Sequence, residues 1–262
     1  MKNKGLIITL IVLLSVACIS LICLMTFMIK GNNKNFNFNF KSDRVIKEKV
    51  IDKTYEEEIN KIDINSEAGD IIVKHSNSDK IRVVVYGTKD LSTSEKTGSN
   101  LVVKVKNEKC NFFCINQKLS KTIIYVPENY EGKINVKENL GDINISDYEK
   151  AEVKIDNDYG DIKLGNVSVI NIKDDYGDIE IKKVNKSLNI KNDCGDIEID
   201  EVNITEDSYI KDDYGDIEIG KTNEIYIDAK TSLGDVDINN NYKKSNITLK
   251  IRDDFGDIEV DN

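Results

Sequence analysis

This chain has one histidine, one proline and, in residues 131–262, one arginine. The histidine, His75, lies in the polar stretch Lys74-His75-Ser76-Asn77 and reads as a surface residue, which leaves general-base chemistry without its commonest side chain. No nucleophile–base motif, phosphate-cradling glycine loop or metal-spaced His/Cys cluster is present. The lone arginine, Arg252, pairs with no recognisable cleft, and this weighs against a β-helical polysaccharide-active enzyme, which works with acidic residues, calcium and a basic residue. With Pro127 as the only proline, β ladders can run without interruption. Five cysteines form neither a disulfide framework nor a zinc site.

Charge is also missing from residues 5–29, which run almost continuously apolar. As a helix, such a stretch rises about 37 Å, enough to cross a hydrocarbon core of about 30 Å with some tilt. Ser15-Val16-Ala17-Cys18 matches a lipoprotein cleavage site only in part, because apolar residues continue past Cys18. An uncleaved transmembrane α-helix in contact with lipid is therefore expected, after a cytoplasmic tail at residues 1–4. Lys2 and Lys4 favour a cytoplasmic N-terminus, while Lys30, Lys34, Lys41, Arg44, Lys47 and Lys49 count the other way. A short tail before a signal-like segment usually sends the downstream chain across the membrane. The expectation is a single-pass protein of the cell membrane with its C-terminal body extracytoplasmic.

What the chain has in abundance is one tripeptide. Gly-Asp-Ile or Gly-Asp-Val begins at Gly141, Gly160, Gly177, Gly195, Gly215, Gly234 and Gly256, at intervals of 17–22 residues, with an outlying copy at Gly69. A period near twenty is that of a solenoid laying down one coil per repeat. In each repeat an apolar residue stands seven positions before the one after Gly-Asp: Ile155/Ile162, Ile172/Ile179, Ile190/Ile197 and so on. Apolar and polar residues alternate on both sides, the period of a half-buried strand. Seven is odd, so both members face one core only if the chain bends between them. The glycine supplies the bend, and the Asn-Asp or Asp-Asp before it favours a turn. The fold class expected is all-β, a β-solenoid or β-helix at residues 131–262. A second corner follows at positions such as Lys183-Val184-Asn185-Lys186.

Residues 45–130 read as an irregular β cap continuous with the repeats, and residues 30–44 as a stalk. Strands are expected at Ile81–Tyr86, Leu101–Val105 and Thr122–Val126, the first two joined by a polar loop. Between Cys110 and Cys114 lies Asn-Phe-Phe. Two readings stand, a disulfide across a hairpin tip and a pair of free thiols on a loop.

The anchor, the Ile-Tyr-Val-Pro element at Ile124 to Pro127 and the repeated Gly-Asp-Ile units together resemble the bacterial putative-adhesin β-strand-repeat family, over about residues 45–262. The resemblance implies a solenoid ectodomain at the envelope with no catalytic residue to carry over. It also implies a role in adhesion, scaffolding or envelope sensing, with an envelope protein or polysaccharide as partner.

Two columns of side chains are candidate sites. The aspartates Asp142, Asp161, Asp178, Asp196, Asp216, Asp235 and Asp257 would stack, and the functional reading is calcium held between coils, as in a calcium-dependent β-roll. The structural reading, which is favoured, has each aspartate accept backbone N–H groups at its corner. Just before each glycine stand Leu140, Tyr159, Tyr176, Cys194, Tyr214, Leu233 and Phe255. An aromatic platform for sugars is one reading. Leucine and cysteine at the same position favour the other, a semi-buried packing corner. Residues 131–262 carry 33 acidic and 17 basic residues, so nucleic acid is not expected as a partner.

Overall fold

The computed structural model describes residues 46–107 and 119–261. The expected membrane span, the stalk at residues 30–44, and Cys110 and Cys114 lie outside the described residues. Within them the chain is all-β apart from one short 3-10 turn, Lys89–Leu91. The strands in order are β1 (Lys49–Tyr55), β2 (Lys61–Ser66), β3 (Gly69–His75), β4 (Ile81–Tyr86), β5 (Ser92–Thr97), β6 (Asn100–Val105) and β7 (Ser120–Val126). They continue as β8 (Lys133–Glu138), β9 (Ile143–Ile145), β10 (Tyr148–Tyr159), β11 (Ile162–Tyr176), β12 (Ile179–Asn192) and β13 (Ile197–Val202). The last six are β14 (Ser208–Tyr214), β15 (Ile217–Ile219), β16 (Tyr226–Leu233), β17 (Val236–Ile238), β18 (Thr248–Phe255) and β19 (Ile258–Val260).

Each coil is a strand, a corner at glycine and a second strand, and equivalent strands pair in parallel from coil to coil. Ile155 pairs with Ile172 and Ile172 with Ile190 before the corner; Ile162 pairs with Ile179 and Ile179 with Ile197 after it. All six are buried, so the bend does bring the two members of each pair into one core. The second corner is gentler than the sequence suggests. β11 and β12 continue through it as strands with an irregular register beside Val167, and Tyr148, Val167, Val184 and Val202 are buried there as a third apolar column.

Spatial order departs from chain order at both ends. The coil of β2 and β3 lies between that of β6 and β7 and that of β8 and β9. Likewise β18 and β19, last in the chain, lie between β14–β15 and β16–β17. At the first end, antiparallel strands cover the stack: β5 pairs with β6, and β4 pairs with β7 and β1. The segment Ser92–Thr97 was expected as a loop and is instead β5. Its sequence, Ser-Thr-Ser-Glu-Lys-Thr, has no apolar alternation because neither face of the strand is buried beyond Ser92. At the opposite end, Asn241 closes part of the β16 edge by bonding both backbone groups of Ile227, at 3.0 and 2.8 Å. Ala229 is only partly buried there, and Leu233 and Val236 are exposed.

Candidate binding face along the glycine corner

The glycine corners stack into one column, and around it the chain sets three more. Gly177 illustrates why no other residue fits. Its φ of 155° lies outside the range that side chains tolerate, and an added Cβ would sit 2.7 Å from the carbonyl carbon of Gly160. Equivalent contacts recur at Gly160, Gly195, Gly215, Gly234 and Gly256; at Gly141 the neighbour is Gly69, so the outlying Gly-Asp copy belongs to the same column. Gly256 keeps the close contact without the positive φ of the others.

Inside the corner, three residues before each glycine, is a buried polar column, at a position where the sequence suggests only a turn. It comprises Ser66, Glu138, Asn157, Asp174, Asn192, Asp212 and Asp253, all buried, with the partly exposed Thr231 at the open end. These side chains brace the corner. The Asn157 amide donates to the Gly160 carbonyl at 2.9 Å and to Asp174 Oδ1 at 2.8 Å, and Asn192 donates to the Gly195 carbonyl at 2.8 Å. Glu138 Oε1 accepts the Leu140 N–H and Asp253 Oδ1 the Phe255 N–H. Burial pushes the carboxyls of Glu138, Asp174 and Asp212 up to about 7, and raises that of Asp253. Asp174 Oδ2 and Asn192 Oδ1, on residues paired in register, have no hydrogen-bond partner among the described residues. Strand alternation held the signal that could have found this column. The position lies two residues beyond Ile155, Ile172, Ile190, Ile210 and Ile251, hence on the same inward face.

Outside the corner run the sequence-predicted aspartates, all solvent-facing. Asp161 N–H donates to Asp142 Oδ1 at 3.1 Å, Asp178 N–H to Asp161 at 3.2 Å, and Asp196 N–H to Asp178 at 2.9 Å. The ladder continues through Asp216 and Asp257 to Asp235. One carboxylate oxygen of each aspartate from Asp142 to Asp216, and of Asp257, is thus taken by a backbone amide of the next coil. Among the described residues no lysine or arginine closes an ion pair with these seven aspartates. Also among the described residues, no three His, Cys, Asp or Glu side chains are grouped to hold a metal ion.

The residues before the glycines form an exposed ridge, not the semi-buried corner expected from sequence. Tyr159, Tyr176 and Tyr214 are 51–57% exposed, and Leu140, Phe255 and Leu233 are exposed as well. They sit on the outer side of a bend whose inner side the polar column already fills. Tyr159 and Tyr176 stack at 5.0 Å with planes 3° apart, and Tyr214 and Phe255 at 4.9 Å and 4°. Elsewhere His75 is half-buried, more enclosed than its polar stretch suggested. Its Nε2–H donates to the Asp147 carbonyl at 2.7 Å, and its ring meets Tyr148 edge-on, so that nitrogen is not available as a base.

Stacked two-strand coils, glycine corners and a shared core extend from Ile59 to the last described residues. The family model for the Toastrack DUF4097 domain matches residues 59–262. The chain belongs to the Toastrack DUF4097 family. Solved structures similar to this Toastrack chain include one described as a putative cell adhesion protein from Clostridium sporogenes, at 13% identity, covering 80% of this chain and 98% of that one with a TM-score of 0.34. Another is described as a putative adhesin from Bacteroides fragilis, at 17% identity, 79% and 95% coverage and a TM-score of 0.37. A third, described as a putative adhesin from Parabacteroides distasonis, has 16% identity, 80% and 96% coverage and a TM-score of 0.35. No curated protein matches the chain.

Proposed function

We propose that the chain is a non-enzymatic, membrane-anchored β-solenoid, held in lipid by residues 5–29, that presents its glycine-corner face outside the cytoplasm. It acts as an adhesion, scaffold or envelope-sensing module. The observation that carries this reading is the ridge: large side chains from Leu140 to Leu233, interrupted at Cys194, stand exposed in one line beside the aspartate ladder. A soluble domain gains nothing by exposing such a line, whereas a contact surface does. Aliphatic columns fill the coil interior, and the apolar run at residues 5–29 is long enough to anchor the body.

Protease treatment of intact cells tests the placement: the body should be digested or released before lysis. Retention of the displaying cells on isolated envelope fragments tests the role, compared with cells displaying a chain in which Tyr159, Tyr176, Tyr214 and Phe255 are serine. A body protected until lysis, or equal retention of both, would defeat the proposal.

A further inference from the structure

The exposed ring column has one rung missing. Tyr176 precedes Gly177, whose N–H bonds to the Cys194 carbonyl; Gly195, next after Cys194, bonds to the Tyr214 carbonyl. Cys194 therefore stands between Tyr176 and Tyr214, with a stacked ring pair continuing on either side. The cysteine is exposed and too short to fill the space its neighbours' rings occupy. Two rises of about 4.8 Å part Tyr176 from Tyr214, so a flat group over Cys194 would lie about 4.8 Å from each ring. That is the separation already seen in the two stacked pairs, at 5.0 and 4.9 Å.

We infer that this notch is a stacking slot for a guanidinium, the side chain of an arginine on a basic partner at the envelope. Three features choose the occupant. Ring faces above and below demand a planar group. Their negative faces favour a cation, and guanidinium is the side-chain cation that is flat. The notch is flanked by Asp193, which is exposed, and by Asp178 and Asp196, each with one carboxylate oxygen on a backbone amide and the second left for a partner. A carboxylate beside a stacked guanidinium can accept its N–H groups. Lysine's ammonium is a point charge with no face to stack, and a neutral ring makes no use of the carboxylates.

The slot deepens the proposed function and rests on it only for where the partner is met; a failed titration would leave the protease result standing. The test titrates the full-length chain in nonionic detergent, its tyrosine rings isotope-labelled, with the blocked tripeptides Gly-Arg-Gly, Gly-Lys-Gly and Gly-Tyr-Gly. The arginine peptide should shift the Tyr176 and Tyr214 ring signals saturably and bind about tenfold more tightly than either alternative. Cys194→Tyr, which supplies the missing rung, should weaken it at least about tenfold, while Cys194→Ala stays within about twofold of the parent. If Cys194→Tyr does not fold, Tyr176→Leu with Tyr214→Leu serves instead, with binding read from the line width of the peptide's own signals, since Leu140 and Leu233 hold that position in other coils. Unchanged binding in the filled or ring-deleted variant would overturn the slot, and so would equal binding of the lysine peptide. Tighter binding of the tyrosine peptide would replace the cation by an aromatic ring, and no saturable shift would remove the site.

Discussion

A side-chain carbon on Gly177 would sit 2.7 Å from the carbonyl carbon of Gly160, and closer still to its oxygen. Retreat of either backbone is opposed by the ladders that flank each glycine and by the glycine N–H groups, which donate to the Tyr176 and Cys194 carbonyls of the next coil. Gly177→Ala should therefore destabilise the domain by about 2–5 kcal/mol, combining a forbidden φ with overpacking against main chain. Gly98→Ala is the comparison. It has a φ of 58° with nothing within 4 Å of the new carbon, so only the φ term, about 1 kcal/mol, applies. Equal denaturation midpoints for the two variants would show that the close approach does not set the corner.

The buried carboxyls predict an unusual pH dependence. Glu138, Asp174 and Asp212 hold their protons up to about 7, whereas in the unfolded chain they ionise near 4. Their contribution is fully present below the unfolded values and is lost as pH rises towards 7, so stability should fall from pH 5 to pH 8. The opposing groups, Asp52 beside Arg82 and Asp228 beside Arg252, are held below the usual carboxylate range and lose their contribution only in more acidic solution. Asp174→Asn with Asp212→Asn should flatten the slope and raise the midpoint at pH 8, as Asn157 and Asn192 already occupy that column. A double variant with the parent's slope would place the titration elsewhere.

For the outer ladder, the comparison is between losing charge and losing an acceptor. Asp178 Oδ1 accepts the Asp196 N–H at 2.9 Å, and an asparagine keeps that oxygen. Asp178→Asn should stay within about 0.5 kcal/mol of the parent, whereas Asp178→Ala should cost about 1 kcal/mol. Melts with chelator and with millimolar calcium should coincide for the parent, because among the described residues no three carboxylates are grouped to hold an ion. A calcium-dependent rise in melting temperature that Asp178→Asn abolishes would instead identify the ladder as an ion site.

Hydrogen exchange should invert the usual gradient towards a chain end. The amides of β18 bond between two neighbours, while β16 is flanked on one side only, so Ile251 should exchange more slowly than Ala229. Faster exchange in Thr248–Phe255 than in Tyr226–Leu233 would contradict that strand order.

Period and corner were legible because a solenoid repeats its constraints: Gly-Asp-Ile or Gly-Asp-Val marks each glycine corner, and the seven-residue offset locates the apolar columns on its two sides. The exchange of coils at each end was not, because Ile251 and Ala229 satisfy the same periodic pattern and only the open edge tells them apart. Nor was the buried polar column. Asn157 and Asp174 are residues that also favour turns, and a tight bend at Gly160 or Gly177 accounts for them without burial. The ridge was misjudged for a related reason. Tyrosine, leucine and cysteine share one position on the convex side of a bend, where size is unconstrained because nothing packs above it.

The interlocked ends limit how such an array can change length. A copy added after Val260 would find β19 already flanked by β15 and β17, and one placed before Lys61 would meet β2 held between β6 and β8. New coils can enter only in the interior, between the coil that starts at β8 and the one that ends at β15, where chain order and spatial order agree. Lineages of such chains should differ by whole units gained or lost in that stretch, with both terminal arrangements passed on unchanged.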